Sequence, residues 1–85
     1  MYEIVFTKQA QKDKKLLKQA GLDKRAKALL DVIAENPFKN PPRYEKLVGD
    51  LAGYYSRRIN VQHRLVYQVY EELKTVKVLS MWTHY

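Results

Sequence analysis

The sequence predicts an α+β domain in which two N-terminal helices pack on one face of a curled, mainly antiparallel sheet. Three observations predict it. Apolar residues recur at helical spacing between Leu22 and Ile33. From Tyr44 onward the pattern changes to short β-branched, aromatic and leucine-rich runs. A connector holding all three prolines separates the two regimes.

Tyr2 to Phe6, "YEIVF", is a short β-prone run, and Thr7 is suited to cap a helix that starts behind it. Lys8 to Ala20 is rich in good helix formers, with apolar positions at Ala10, Leu16, Leu17 and Ala20 and with Gly21 where a C-terminal cap belongs. A second helix follows from Leu22, Ala26, Leu29, Leu30 and Ile33, which share one helical face, and Asn36-Pro37 ends it. "NPFKNPPR", Asn36 to Arg43, is neither helix nor central strand. Beyond it, Tyr44 to Val48, Tyr54 to Val61, Arg64 to Tyr70 and Thr75 to Trp82 read as four strands, parted by Gly49-Asp50, Gly53, Asn60 to His63 and Glu71 to Lys74. Short turns imply an antiparallel meander, and the element order is β-α-α-β-β-β-β. The sheet face away from the helices is then free for function.

Residues 1–85 are read as a single domain, too short to hold a second one. Cysteine is absent, so neither a disulfide framework nor a thiolate zinc site is expected, and two histidines far apart in sequence make a poor metal site. No cofactor is expected. No apolar run is long enough to span a bilayer, and "MYEIVFTKQ" lacks the features of a secretory leader, which points to a cytoplasmic protein with no membrane partner. Sixteen Lys and Arg against nine Asp and Glu leave a net charge of +7. Such a field attracts polyanions, nucleic acid above all; the alternative is charge that only keeps a small protein soluble. The lysines and arginine between Lys12 and Lys27 pose the same choice for the helices.

"GYYSRRINVQHRLVY", Gly53 to Tyr67, puts Arg57, Arg58, His63 and Arg64 on two adjacent strands. A three-residue loop Asn60-Val61-Gln62 sets Ile59 opposite His63 and Arg58 opposite Arg64, leaving both guanidiniums on one face; a two-residue loop changes that register. Like charges directly opposite each other destabilise a sheet unless an anion lies between them, and arginine suits a phosphate because its planar fork makes paired, charge-assisted hydrogen bonds. Arg57 is read instead as a surface charge paired with Glu45 or Asp50. His63, beside a turn, is either structural or a phosphate contact. Tyr2, Tyr67, Tyr70 and Trp82 read as core or half-core, whereas Tyr54, Tyr55 and Tyr85 flank the basic cluster, where rings either stack on bases or pack.

Glu45 opens the second of the five strands and His84 closes the last, so the sheet can gather a carboxylate, two guanidiniums and an imidazole. That set suffices to cleave RNA without a metal. A base takes the proton of the ribose 2′-OH, cations stabilise the phosphorane-like transition state, and an acid protonates the departing 5′-oxygen. A lone Glu and a terminal His also occur in many small domains with no such role.

"YEKLVGDLAGYYSRRINVQHRLVYQV", Tyr44 to Val69, together with the ending "WTHY", resembles the Txe/YoeB family of toxin–antitoxin toxins in the RelE-like superfamily. The likeness covers nearly the whole chain in length and element order. It is specific in the C-terminal half, in Gly-x-x-Ser-Arg-Arg-Ile, His-Arg-Leu-Val-Tyr and the final His-Tyr. The resemblance implies a RelE-like fold and a ribosome-dependent mRNA endonuclease that cuts the codon in the A site and halts translation. It implies that Glu45 is the general base, His84 the general acid and Arg64 the transition-state stabiliser, with Arg58, Tyr85, Lys46, His63 and Tyr55 as substrate contacts. The chain departs from the family where Val48 replaces a frequent lysine, which leaves Lys46, at a position where proline is common, as the candidate for that contact. The implied partners are a YefM/Axe-type antitoxin, the 70S ribosome with its mRNA, a second copy of the chain, and operator DNA through the antitoxin complex alone. The competing expectation is a RelE-fold toxin of the ParE kind, which binds a topoisomerase and cuts no RNA; a third is a basic nucleic-acid-binding module without activity.

Overall fold

The computed structural model describes residues 1–84, the last of them by its backbone. Five strands, β1 (Glu3–Phe6), β2 (Tyr44–Lys46), β3 (Tyr55–Arg58), β4 (His63–Tyr70) and β5 (Thr75–His84), form one sheet in the order β1-β5-β4-β3-β2. Helices α1 (Lys8–Gln19) and α2 (Asp23–Glu35) lie between β1 and β2 in sequence and pack mainly over β1 and β5. The α+β architecture expected from the sequence is the observed one. The meander is antiparallel from β2 to β5, and β1 adds to its far edge parallel to β5, pairing Glu3 with Thr75 and Phe6 with Val78.

The helices form where capping and periodicity place them. Thr7 caps α1, its Oγ1 accepting from the Ala10 N–H at 3.1 Å, and Gly21 takes the left-handed conformation (φ 73°) that ends the α1 turn. Ala26, Leu29 and Ile33 of α2 are buried, as their spacing predicts. In α1 the buried stripe is Ala10, Asp13 and Leu17, while Leu16 and Ala20, expected on the apolar face, are exposed. These side chains meet Leu65, Tyr67, Val76, Val78 and Met81 from the sheet to form the core. Of the tyrosines read as core, Tyr67 is fully buried and Tyr2 packs against the core, but Tyr70 is exposed. Among the described residues no helix is long and apolar enough to cross a membrane.

Two differences from the expected elements matter below. The β2 strand stops at Lys46 because Gly49–Leu51 winds into a short 3₁₀ turn that leaves Val48 84% exposed. The β5 strand runs to His84, past the expected end at Trp82, and its pairing with β4 shifts twice. Tyr67 pairs with Val78, so an unbroken ladder reaches Met81 opposite Arg64; instead Val66 pairs with Ser80 and Arg64 with Thr83. Each shift adds one residue to β5, as a β-bulge does.

Candidate active site

Side chains alternate across the sheet, and the alternation sorts the residues read from the sequence. Register pairs Glu45 with Ser56, Ser56 with Val66, and Arg58 with Arg64. The Arg58–Arg64 pairing is the one the three-residue loop predicts, and Asn60 closes that loop by accepting from the Gln62 and His63 N–H groups at 2.9 and 2.7 Å. On this face a cleft of about 350 Å³ is lined by Pro42, Arg43, Glu45, Ser56, Arg58 and Arg64. Arg64 Nη1 lies 3.2 Å from Glu45 Oε2. The sequence reading set Arg64 apart from such pairing, and the structure corrects it: Glu45 pairs with Arg64. The Glu45 side chain is 43% exposed and that of Arg64 only 14%, so the carboxylate is the accessible member of the pair.

Arg57 points the other way and is not a surface charge. It is 1% exposed, because the Asn36–Arg43 connector folds over it. Nη1 donates to Pro42 O at 2.6 Å, Nη2 to Pro37 O at 3.0 Å and to Lys39 O at 2.9 Å, and Nε to Tyr67 Oη at 3.1 Å. The proline-rich connector forms no ladder of its own, so one guanidinium satisfies its inward carbonyls. Tyr67 Oη in turn donates to Pro37 O at 2.7 Å, and burial pushes its phenol above the ordinary tyrosine range against the pull of Arg57. This clamp fixes the segment that supplies Pro42 and Arg43 to the cleft and leads into Glu45.

Several expected contacts fall outside the cleft. Lys46 follows Glu45 on a regular strand and sits opposite Tyr55, on the face turned away from Ser56. The Tyr55 ring packs against Phe38, Tyr44 and Tyr67 at centroid distances of 5.2, 6.0 and 5.8 Å, in an aromatic cluster. His63 is buried, its ring stacked on Trp82 at 3.8 Å. The His84 backbone pairs with His63, next to the Thr83–Arg64 pair. Its imidazole, and Tyr85 as a whole, lie outside the described residues.

Two buried polar residues were assigned no role from the sequence, although Ser56 belongs to the Gly-x-x-Ser-Arg-Arg-Ile motif. Ser56 is fully buried beneath the cleft, and among the described residues its Oγ meets no hydrogen-bond partner. Asp13 is 1% exposed, and its signal was visible: an acid on the Ala10/Leu17 stripe of an otherwise lysine-rich helix. A second cavity of about 330 Å³ lies between the helices and the sheet, walled by Phe6, Leu17, Leu30 and Met81, with Asp23 and three lysines among its lining. No group of three or more His, Asp or Glu suited to a metal ion occurs among the described residues.

Against known proteins, residues 6–85 match the YoeB-like toxins of bacterial type II toxin–antitoxin systems. The chain belongs to that family. It is 41% identical over 75 residues to Toxin YoeB of Synechocystis sp., covering 88% of this chain and 78% of that protein. A YoeB/ParE toxin from Agrobacterium tumefaciens superposes with a TM-score of 0.88 at 30% identity, over 98% of this chain and 99% of that one. YoeB of Staphylococcus aureus, solved in a heterotetrameric complex with YefM, superposes at 0.83 with 39% identity over 100% and 99% of the two chains. The RelE-like fold expected from the sequence is thereby shown, and YoeB membership places the Glu45–Arg64–Arg58 cleft within a toxin.

Proposed function

We propose that this YoeB-like toxin is a ribosome-dependent endoribonuclease that cuts mRNA in the A site, working as one domain over residues 1–85 without a metal or other cofactor. The observation that carries the reading is the cleft in which Glu45, Arg64 and Arg58 converge beside the end of β5. In the proposed reaction the scissile phosphate displaces Glu45 from Arg64. Glu45, released at the same place, accepts the ribose 2′-OH proton, and the 2′-oxygen attacks phosphorus. Arg64 and Arg58 stabilise the added negative charge, which is where fixed cations lower a barrier most. The bond to the 5′-oxygen breaks, His84 supplies the proton that oxygen takes up, and a 2′,3′-cyclic phosphate and a 5′-OH remain. Requirement for the 2′-OH restricts the activity to RNA.

The lysine-rich outer faces of α1 and α2 are the footprint on ribosomal RNA in this reading, and the open cleft leaves substrate positioning to the ribosome. The cytoplasmic partner is a YefM-type antitoxin, as the Staphylococcus complex suggests, and its covering segment is acidic to match the +7 chain. A two-fold dimer of the chain, and operator contact through the antitoxin complex, complete the proposal. The test is to map mRNA 5′ ends by primer extension in a purified translation system with and without ribosomes. Cuts at A-site codons only when ribosomes are present are expected. A folded, growth-inhibiting chain that makes no cuts refutes the nuclease reading and favours topoisomerase binding.

A further inference from the structure

Asp13 is a buried carboxylate that the proposed chemistry does not use. A carboxylate is costly to bury unless its oxygens are occupied, and both are: Oδ1 accepts from Gln9 Nε2 and Oδ2 from the Met81 N–H, each at 2.9 Å. Met81 is one of the residues that carry the second register shift of β5. The first shift inserts Leu79, whose carbonyl accepts from Thr7 Oγ1 at 2.7 Å. The side chain that caps α1 and one from its second turn thus take up backbone groups where β5 departs from its ladder with β4. Without the shifts, Met81 would face Arg64 and Trp82 would face His63. The His84 backbone would then lie about 7 Å further on, beyond the start of β4, at roughly 3.3 Å per residue.

We propose that Asp13 is a positioning residue: by holding the Met81 N–H it keeps β5 in the shifted register that sets Thr83 beside Arg64 and brings the His84 backbone to His63. Its effect on cleavage rests on the reading of His84 as general acid; its effect on register does not. Thr7 assists, but it also caps α1, so Asp13 is the cleaner probe.

The experiment measures two things on the full chain: the cross-strand NOE between the backbones of Arg64 and Thr83, and kcat and KM for mRNA cleavage on programmed ribosomes. Asp13→Ala is expected to fold, lose the NOE and lose about 100-fold or more in kcat with KM little changed, since even small misplacement of a reacting group is that costly. Asp13→Asn, which keeps an acceptor of the same shape, is expected to restore both. An Asp13→Ala chain that retains the NOE overturns the proposal; one that loses it and keeps kcat supports the register role and refutes its link to cleavage. If Asp13→Ala does not fold, Asp13→Asn decides: normal NOE and kcat support the assignment, and a folded chain with the NOE but impaired kcat refutes it. If the wild-type chain cuts no mRNA, the nuclease reading fails by itself. The NOE then judges Asp13 alone, its loss in Asp13→Ala supporting the register role and its retention refuting it.

Discussion

Replacing Arg57 with lysine keeps the charge and most of the length, yet the structure predicts a large loss of stability. The guanidinium makes four hydrogen bonds, to three connector carbonyls and to Tyr67 Oη, in directions that fan out from a planar fork. An ammonium is one point with three donors, and it cannot reach Pro42, Pro37 and Lys39 together with the phenol. Loss of two such bonds to a charged group costs about 3–5 kcal/mol. A chain of this length has only about 4–13 kcal/mol in total. At about 4–8 °C per kcal/mol for a domain of this size, Arg57→Lys should melt roughly 12–40 °C below the wild type. Thermal and urea unfolding, followed by far-UV circular dichroism and Trp82 fluorescence, measure it, with an unchanged m-value needed for the comparison. A loss below about 1 kcal/mol, the ordinary surface range, would refute the claim that Arg57 holds the connector and would return it to the surface-charge reading.

The remaining predictions bear on the cleft and on pH. His84→Gln should abolish toxicity while leaving the fold and antitoxin binding intact; an equally toxic variant expressed at the same level would remove His84 from the reaction. Arg58→Ala should slow ribosome-dependent cleavage by about 100-fold, the scale of one lost transition-state donor, whereas Lys46→Ala, on the opposite face, should leave the rate unchanged. Equal losses in the two would show that the faces are wrongly assigned. The raised folded-state pKa of Tyr67 gives a signed pH effect, because the buried phenol holds its proton more tightly folded than unfolded. Its stabilisation is complete below the unfolded value of 10.0 and is lost as pH rises from there through the folded value. Tyr67→Phe should therefore be less stable at pH 7 and show a shallower alkaline decline; an equally steep decline in unfolding titrations would assign that effect to another tyrosine.

Local rules made half of the molecule legible. The Asn60–Gln62 loop determined the Arg58–Arg64 register, Thr7 and Gly21 marked the ends of α1, and the Ala26, Leu29, Ile33 spacing marked the buried face of α2. What escaped depends on partners distant in sequence. Arg57 looks like any surface arginine until the connector carbonyls, 15 to 20 residues away, close over it. The register shifts in β5 have no signature within β5 itself, because the groups that stabilise them lie on α1. Lys46 lies on the other face from Glu45 for a local reason contained in the sequence, since strand neighbours alternate. The cleft was thus readable as a set of residue types, and its geometry only in part.

The parallel pairing of β1 with β5 has a consequence for the birth of the chain. Glu3 waits for Thr75 and Phe6 for Val78, so β1 has no partner in the sheet until β5 has been made. Contacts of such wide separation fold late and slowly, after the chain has paid the entropy of closing nearly its full length as a loop. During synthesis α1 and α2 can wind, but the sheet cannot close over them, and their apolar faces stay open to whatever binds them first. β5 completes the sheet and is also the strand that carries His84, so a nascent chain has Thr83 beside Arg64 only once β5 has paired.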